Sequence, residues 1–369
     1  MLGSCCLPES TRMRIAQIAP PWLPVPPPGY GGTELVVSLL CDGLTDRGHS
    51  VTLFATGDSR TKARLEYVLE RGSGLHAVES LRDEARHALF ALRNSSQFDI
   101  IHVHSPFMGL TLAALTGRPV VHTVHGWPEM NGIFNVVGDR AWFVAPTKSY
   151  GSVLPRTPHL EVIHHGIDMT RYPFRDKKEE FVAFVGRATP EKGLHLAISA
   201  ARRARMRLVA VVTRIGHGWE KQYWDKEVAP LLGGDITIRE EVGFDEKVDL
   251  LSRARALLFP IAWDEPFGLV MVEAMACGTP VVGTRCASVP EIVDHGVNGY
   301  VLPLSDFVDL ASGILAEEVA RLKPMACRAA VEERFDQALM VQRYEDLYRR
   351  SLGDLEFPAA ASTSRHPRR

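Results

Sequence analysis

The sequence has no apolar run long enough to span a bilayer as a helix, so no membrane-spanning segment is expected. It also lacks an excess of either charge. Its 42 Lys and Arg stand against 44 Asp and Glu, a formal net charge of −2, and so carry no electrostatic footprint for nucleic acid. Cysteine is scarce: the six, at 5, 6, 41, 277, 286 and 327, form no CxxC pair. That spacing excludes a zinc ribbon or disulfide framework and points to a reducing cytoplasm. No Asp-x-Asp pair is available to hold a divalent metal, and neither a metal nor another cofactor is expected. No basic amphipathic helix stands near the N-terminus, so membrane contact is expected to be peripheral at most.

The apolar content of 46% is that of an ordinary globular protein, and 369 residues favour two domains. Residues 1–12 read as a disordered extension, with Met13 as the natural start. The Ala-, Ser-, Pro- and Arg-rich tail, 353–369, reads as disordered too. In between, short apolar strands alternate with helices, the pattern of a parallel α/β sheet. RIAQIAP (14–20), SVTLFAT, FDIIHVHS (98–105), RPVVHTVHG (118–126), AWFVAPT (141–147) and HLEVIHHGID (159–168) supply the first set. A helix with Thr33 as its N-cap follows the proline-rich loop PWLPVPPPGYGG (21–32). The charged, Pro-interrupted MTRYPFRDKKEE (169–180) breaks the pattern, which then restarts with FVAFVGR, MRLVAVV, DITIREEV, ALLFPIA and PVVGT as strands and a helix expected around 218–232. The expected layout is therefore a Rossmann-like domain over 13–172, a linker at 173–178, a second Rossmann-like domain over 179–335 and a helix over 336–352. That last helix could pack on either domain. Two such halves face each other across a cleft, and ligands bind at the carboxyl ends of their strands.

The most informative run is WDEPFGLVMVEAMACGTPVV, in which Glu265 and Glu273 stand eight residues apart. Pro266 suits a first helical position and Gly278 a C-cap, so a helix over about Pro266–Cys277 is expected. The amides of Phe267, Gly268 and Leu269 would then point from its N-terminus toward an anionic or hydroxyl-rich ligand. Glu273, two turns further in among apolar residues, needs a partner, and a ribose diol is one candidate. A solvated Glu and a core-edge Glu on an ordinary helix are the plainer reading. Two further loops follow strands. In GRATPEKG (186–193), Arg187 and Lys192 are two cations beside a helix start, an arrangement suited to a diphosphate or simply to solvent. In GYGGTE (29–34), Gly31 and Gly32 allow close backbone approach, or make a plain flexible turn. The strands IIHVHS and VVHTVHG carry His102, His104, His122 and His125 at spacings unlike the HExxH zinc helix. Each is more often structural than catalytic.

Taken together, EPFGLVMVE, FVGRATPEKG, VIHHGIDMTRY, VAPTKSY and VHTVHG resemble, in order, the segments of retaining glycosyltransferases of family 4, which have the GT-B fold. The resemblance covers roughly 13–352. It implies a metal-independent transfer of a hexose from a nucleoside-diphosphate sugar to an acceptor hydroxyl, on a small molecule, glycan or lipid. The first domain would then serve the acceptor and the second the donor. By the same resemblance Arg187 and Lys192 hold the diphosphate, and Glu273 holds the ribose. Glu265 and the amides of Phe267, Gly268 and Leu269 hold the sugar and β-phosphate. His125 lies beside the sugar, Gly31 and Gly32 border the β-phosphate, and the Val242–Gly243 loop touches the base. Two positions depart from the family pattern: His165 replaces Asn before Gly166, and Ala287-Ser288 replaces Gly-Gly before Pro290. A glycoside hydrolase using the Glu pair, an epimerase or phosphorylase of the same fold, and a non-catalytic sugar-nucleotide binder are the rival readings.

Overall fold

A computed structural model describes residues 12–353 except 75–76, 106, 127–130, 214–215 and 217; both expected disordered ends lie almost wholly outside it. The first half forms seven strands: β1 (Arg14–Ile18), β2 (Ser50–Phe54), β3 (Arg64–Glu66), β4 (Ile100–Val103), β5 (Val120–Thr123), β6 (Trp142–Ala145) and β7 (Leu160–Val162). They pair in the order β3-β2-β1-β4-β5-β6-β7, every pair parallel. The second half contributes β8 (Phe181–Gly186), β9 (Arg207–Val212), β10 (Ile236–Glu240), β11 (Ala256–Phe259), β12 (Val281–Thr284) and β13 (Gly299–Leu302). These are parallel in the order β10-β9-β8-β11-β12-β13.

Strands buried on both faces are apolar throughout, as ALLF of β11 and FVAF of β8 show. Each sheet reverses its strand order beside its first strand, β1 or β8. The crevice outside that reversal is where such sheets take ligands. The loops 19–31 and 187–193 leave from those two strands.

The final helix, Gln337–Gly353, packs on the first half, not the second. Met340, Val341, Tyr344, Leu347 and Tyr348 are buried against Leu40, Leu44 and their neighbours on the helix Gly32–Asp46. The chain therefore crosses between the halves twice, and the crossings are bonded side by side. Ile167 N–H donates to Phe335 O at 2.9 Å and Gln337 N–H to Ile167 O at 3.0 Å.

Three expected elements differ. The helix expected near 218–232 is α only over Trp219–Tyr223; a π segment and a 3₁₀ turn follow, where Pro230 has no amide to continue the ladder. The first long helix begins at Gly32 with Gly31 at its cap and no side-chain cap bond, so Thr33 is not the N-cap. The third difference, at Glu265–Glu273, belongs to the site.

Candidate functional site

Gly31 has φ +145, and a β-carbon there would lie 2.7 Å from Pro27 Cβ and 2.9 Å from Glu34 Oε2. Only glycine fits. A β-carbon at Gly29 would lie 3.3 Å from Val242 O, and one at Gly32 would lie 3.4 Å from Leu269 Cδ1. The glycine loop of the first half thus meets both the Val242 loop and the start of the Glu273 helix in the second.

That helix runs Leu269–Ala276, three residues shorter at its start than the sequence suggests. Gly268 is left-handed at φ +82, which ends helical backbone before Leu269 and leaves Pro266 and Phe267 outside. A β-carbon at Gly268 would lie 2.8 Å from Met271 Cε, so this turn also requires glycine. Glu273 consequently lies about one turn in, not two.

Lys192 and Glu265 form an ion pair in which both side chains are nearly covered. Trp263 Nε1–H donates to the same Glu265 oxygen at 2.9 Å, and the Lys192 ammonium stands 4.8 Å from the Trp263 ring centroid. Arg187 reaches Glu191 at 3.3 Å, while its Nε is buried without a partner. The structure brings Lys192 and Glu265 together and sets Arg187 at the other end of the same loop, whereas Trp263 was not singled out in the sequence.

Glu273 is 2% exposed. Its Oε1 accepts from Lys247 Nζ at 2.7 Å and from the Tyr172 hydroxyl at 3.1 Å. Burial, and then the Glu273 charge, push the Tyr172 phenol far above its ordinary range. Neither partner stood out in the sequence. The need of a buried carboxylate for a cation was the available signal, but it does not say which of many lysines answers it.

On the first-half side, His125 Nε2 is 2.9 Å from His104 Nδ1 and the His125 ring stacks on His165 at 5.2 Å. His165 lies 5.0 Å from Phe267, so it bridges His125 to the Glu265 loop. Burial holds His125 and His104 well below the ordinary imidazole range and lowers His165 to about 3. His122 is buried and bonded to Val103 O at 3.0 Å, a structural group. A small pocket opens among Trp22, Thr33, His104 and His125.

Direct bonds between the halves flank the cleft. Thr147 Oγ1 donates to Pro266 O at 2.9 Å. Glu291 accepts from the amides of Lys148 and Ser149 and pairs with His164 at 2.8 Å. Beside these contacts, Arg187 Nε, Thr189 Oγ1, His165 Nδ1 and Ser288 Oγ are buried without partners. Buried polar atoms left over on these loops are groups that a ligand could bond.

Two parallel α/β halves facing each other across such a cleft are the architecture of a GT-B glycosyltransferase. The model for Glycosyltransferase Family 4 matches residues 30–171, and that for Glycosyl transferases group 1 matches 170–324. Among curated proteins, the N-acetyl-alpha-D-glucosaminyl L-malate synthase of Bacillus anthracis is 24% identical over 365 residues, covering 87% of this chain and 94% of that one. The crystal structure of AviGT4, a glycosyltransferase involved in avilamycin A biosynthesis, is 26% identical, with a TM-score of 0.71 over 92% of this chain and 98% of that one. Anabaena Alr3699/HepE in complex with UDP and glucose shares the fold at 21% identity, with a TM-score of 0.70 over 92% of this chain and all of that one. The chain belongs to glycosyltransferase family 4.

Proposed function

We propose that this glycosyltransferase takes a nucleoside-diphosphate hexose as donor and transfers the sugar to an acceptor hydroxyl with retention of configuration, without a divalent metal. The observation that carries the reading is the placement of Arg187 and Lys192 on the loop after β8, with Lys192 paired to Glu265 and Arg187 Nε buried and unpartnered. A diphosphate would give Arg187 the charge partner that Glu191 now supplies from 3.3 Å. It would also stabilise Lys192 in place of part of the Glu265 pairing. The fold accommodates UDP and glucose in the Anabaena protein, which accords with such a donor.

In this reading Glu265 and the amides of Phe267, Gly268 and Leu269 hold the sugar hydroxyls and β-phosphate. Gly31 and Gly32 border the phosphate from the opposite side, and the Val242–Gly243 backbone lies against the base. Glu273 takes the ribose diol while Lys247 and Tyr172 fix its carboxylate. His125 lies beside the sugar. The two cations supply the stabilisation of leaving-group charge that a metal supplies elsewhere. The acceptor attacks the face from which the diphosphate departs. The leaving phosphate takes the acceptor proton, so no carboxylate nucleophile is needed.

The hydrolase reading is disfavoured because a lysine engages each carboxylate, Lys192 on Glu265 and Lys247 on Glu273. The test is thermal unfolding with UDP, GDP, ADP and TDP, each in EDTA. Stabilisation by one nucleotide in EDTA supports the donor site and its metal independence. Stabilisation by none, with release of sugar from a simple glycoside, overturns it. Retention is read separately, from the anomeric configuration of the product by NMR.

A further inference from the structure

The buried polar side chains under His125 form one directed chain that starts on the final helix. Gln17 Nε2–H donates to the Tyr348 hydroxyl oxygen at 2.9 Å, so the Gln17 carbonyl oxygen faces His104 Nε2 at 2.8 Å. A carbonyl oxygen only accepts, so His104 Nε2 carries the proton. His104 is buried and has no carboxylate among its partners; as a neutral imidazole it leaves Nδ1 bare. That bare Nδ1 lies 2.9 Å from His125 Nε2, which must therefore donate. The rest of the chain agrees. With Gln17 donating to it, the Tyr348 hydroxyl gives its own proton to His102 Nδ1 at 2.6 Å. His102 Nε2–H then donates to Thr123 Oγ1 at 2.8 Å, and the Thr123 hydroxyl is left to donate to Tyr344 at 2.7 Å. Every proton in the network has one place, and reversing the Gln17 amide would reverse them all.

We propose that Tyr348, Gln17 and His104 are positioning residues that fix His125 as the Nε2–H tautomer, so that its Nδ1 meets a sugar hydroxyl in the cleft as an acceptor. Among the described residues nothing bonds His125 Nδ1, and the pocket beside it is open. The sugar contact rests on the donor reading above; the tautomer does not. The final helix thereby acts on the site through bonds as well as through packing.

The test uses the unliganded full chain labelled with ¹⁵N-histidine, reading each ring nitrogen by long-range proton–nitrogen correlation. The His125 signals are identified by their loss in His125→Asn. One protonated Nε2 and one bare Nδ1 on His125 are expected. Tyr348→Phe and Gln17→Met are expected to move both nitrogens toward the average of the two tautomers. With the donor, Tyr348→Phe is expected to lose about fivefold to tenfold in kcat/KM, the equivalent of one hydrogen bond. A protonated Nδ1 on wild-type His125, or an unchanged pattern in both Tyr348→Phe and Gln17→Met, overturns the proposal. If the tautomer is fixed but a nucleotide sugar that stabilises the protein leaves His125 unperturbed, the sugar contact falls and the tautomer assignment stands.

Discussion

Lys192 is held from two sides, by the Glu265 carboxylate and the face of Trp263, so its ammonium is placed before any ligand arrives. Lys192→Ala is expected to lower kcat by about 10²–10³, the magnitude seen when one preorganised electrostatic group is removed. Far-UV dichroism should be unchanged, and unaltered turnover would remove Lys192 from the chemistry. Glu34 makes a different prediction. Burial in the first turn beside Gly31 raises its carboxyl to about 7. A raised folded value means that its stabilising contribution is complete below the unfolded value near 4.5 and is lost as pH rises through about 7. Thermal midpoints of the wild type should therefore fall between those limits relative to Glu34→Gln, which has no proton to lose there. Parallel curves would show the group to be solvated. At this scale the cations, the glycines and Glu265 were legible because they sit in short contiguous motifs at strand ends. Tyr172 and Lys247 were not: they reach Glu273 from 101 and 26 residues away, and only folding pairs them.

Two elements are tied by groups whose removal is measurable. Lys178 Nζ donates at 2.9 Å to each of Ser252 O, Cys277 O and Thr279 Oγ1, joining the ends of the helices Phe244–Arg253 and Leu269–Ala276. Lys178→Met is expected to cost about 2–4 kcal/mol in denaturant unfolding, since it leaves the carbonyls of two helix ends short of a donor. The final helix is tied by Glu345, which is buried and bonded to Arg47. Burial alone would raise this carboxyl, but the Arg47 hydrogen bond and the neighbouring charges of Arg47 and Arg349 hold it below its ordinary value. Its contribution is present above about pH 4.5 and is lost as pH falls through the lowered folded value. Glu345→Gln should therefore flatten the acid limb of the stability curve relative to wild type, as followed by thermal midpoint. Among elements, β8, β11 and β12 stood out because strands buried on both faces are almost wholly apolar. β3 did not: it is a three-residue edge strand, RLE, with no buried residue to mark it. The start of the Glu273 helix was misplaced because Pro266 is a good helix opener. The left-handed turn at Gly268 overrides it, and its need for glycine comes from Met271 and Phe259 packing around it.

At the scale of the molecule the cleft is lined by both halves, so a ligand held by both should stabilise the whole chain. A nucleotide at about 100 times its Kd should add about 2.7 kcal/mol, with no loss in EDTA. If EDTA abolished the gain, a metal would have to be added to the donor site. The architecture, two parallel α/β halves with a cleft between them, was readable from the alternation of strands and helices; the order of the strands was not. The partner of the last helix was not, because its buried tyrosines and aliphatic residues would suit either sheet.

That return of the last helix has a consequence for synthesis. Chains emerge from the ribosome N-terminus first, and a half that closes on itself can fold as it emerges. Here the residues that cover the helix Gly32–Asp46 are translated after every strand of the second sheet. The half made first is the half finished last. A nascent chain stalled before Gln337 would carry a closed second sheet and a first one with its apolar flank still uncovered.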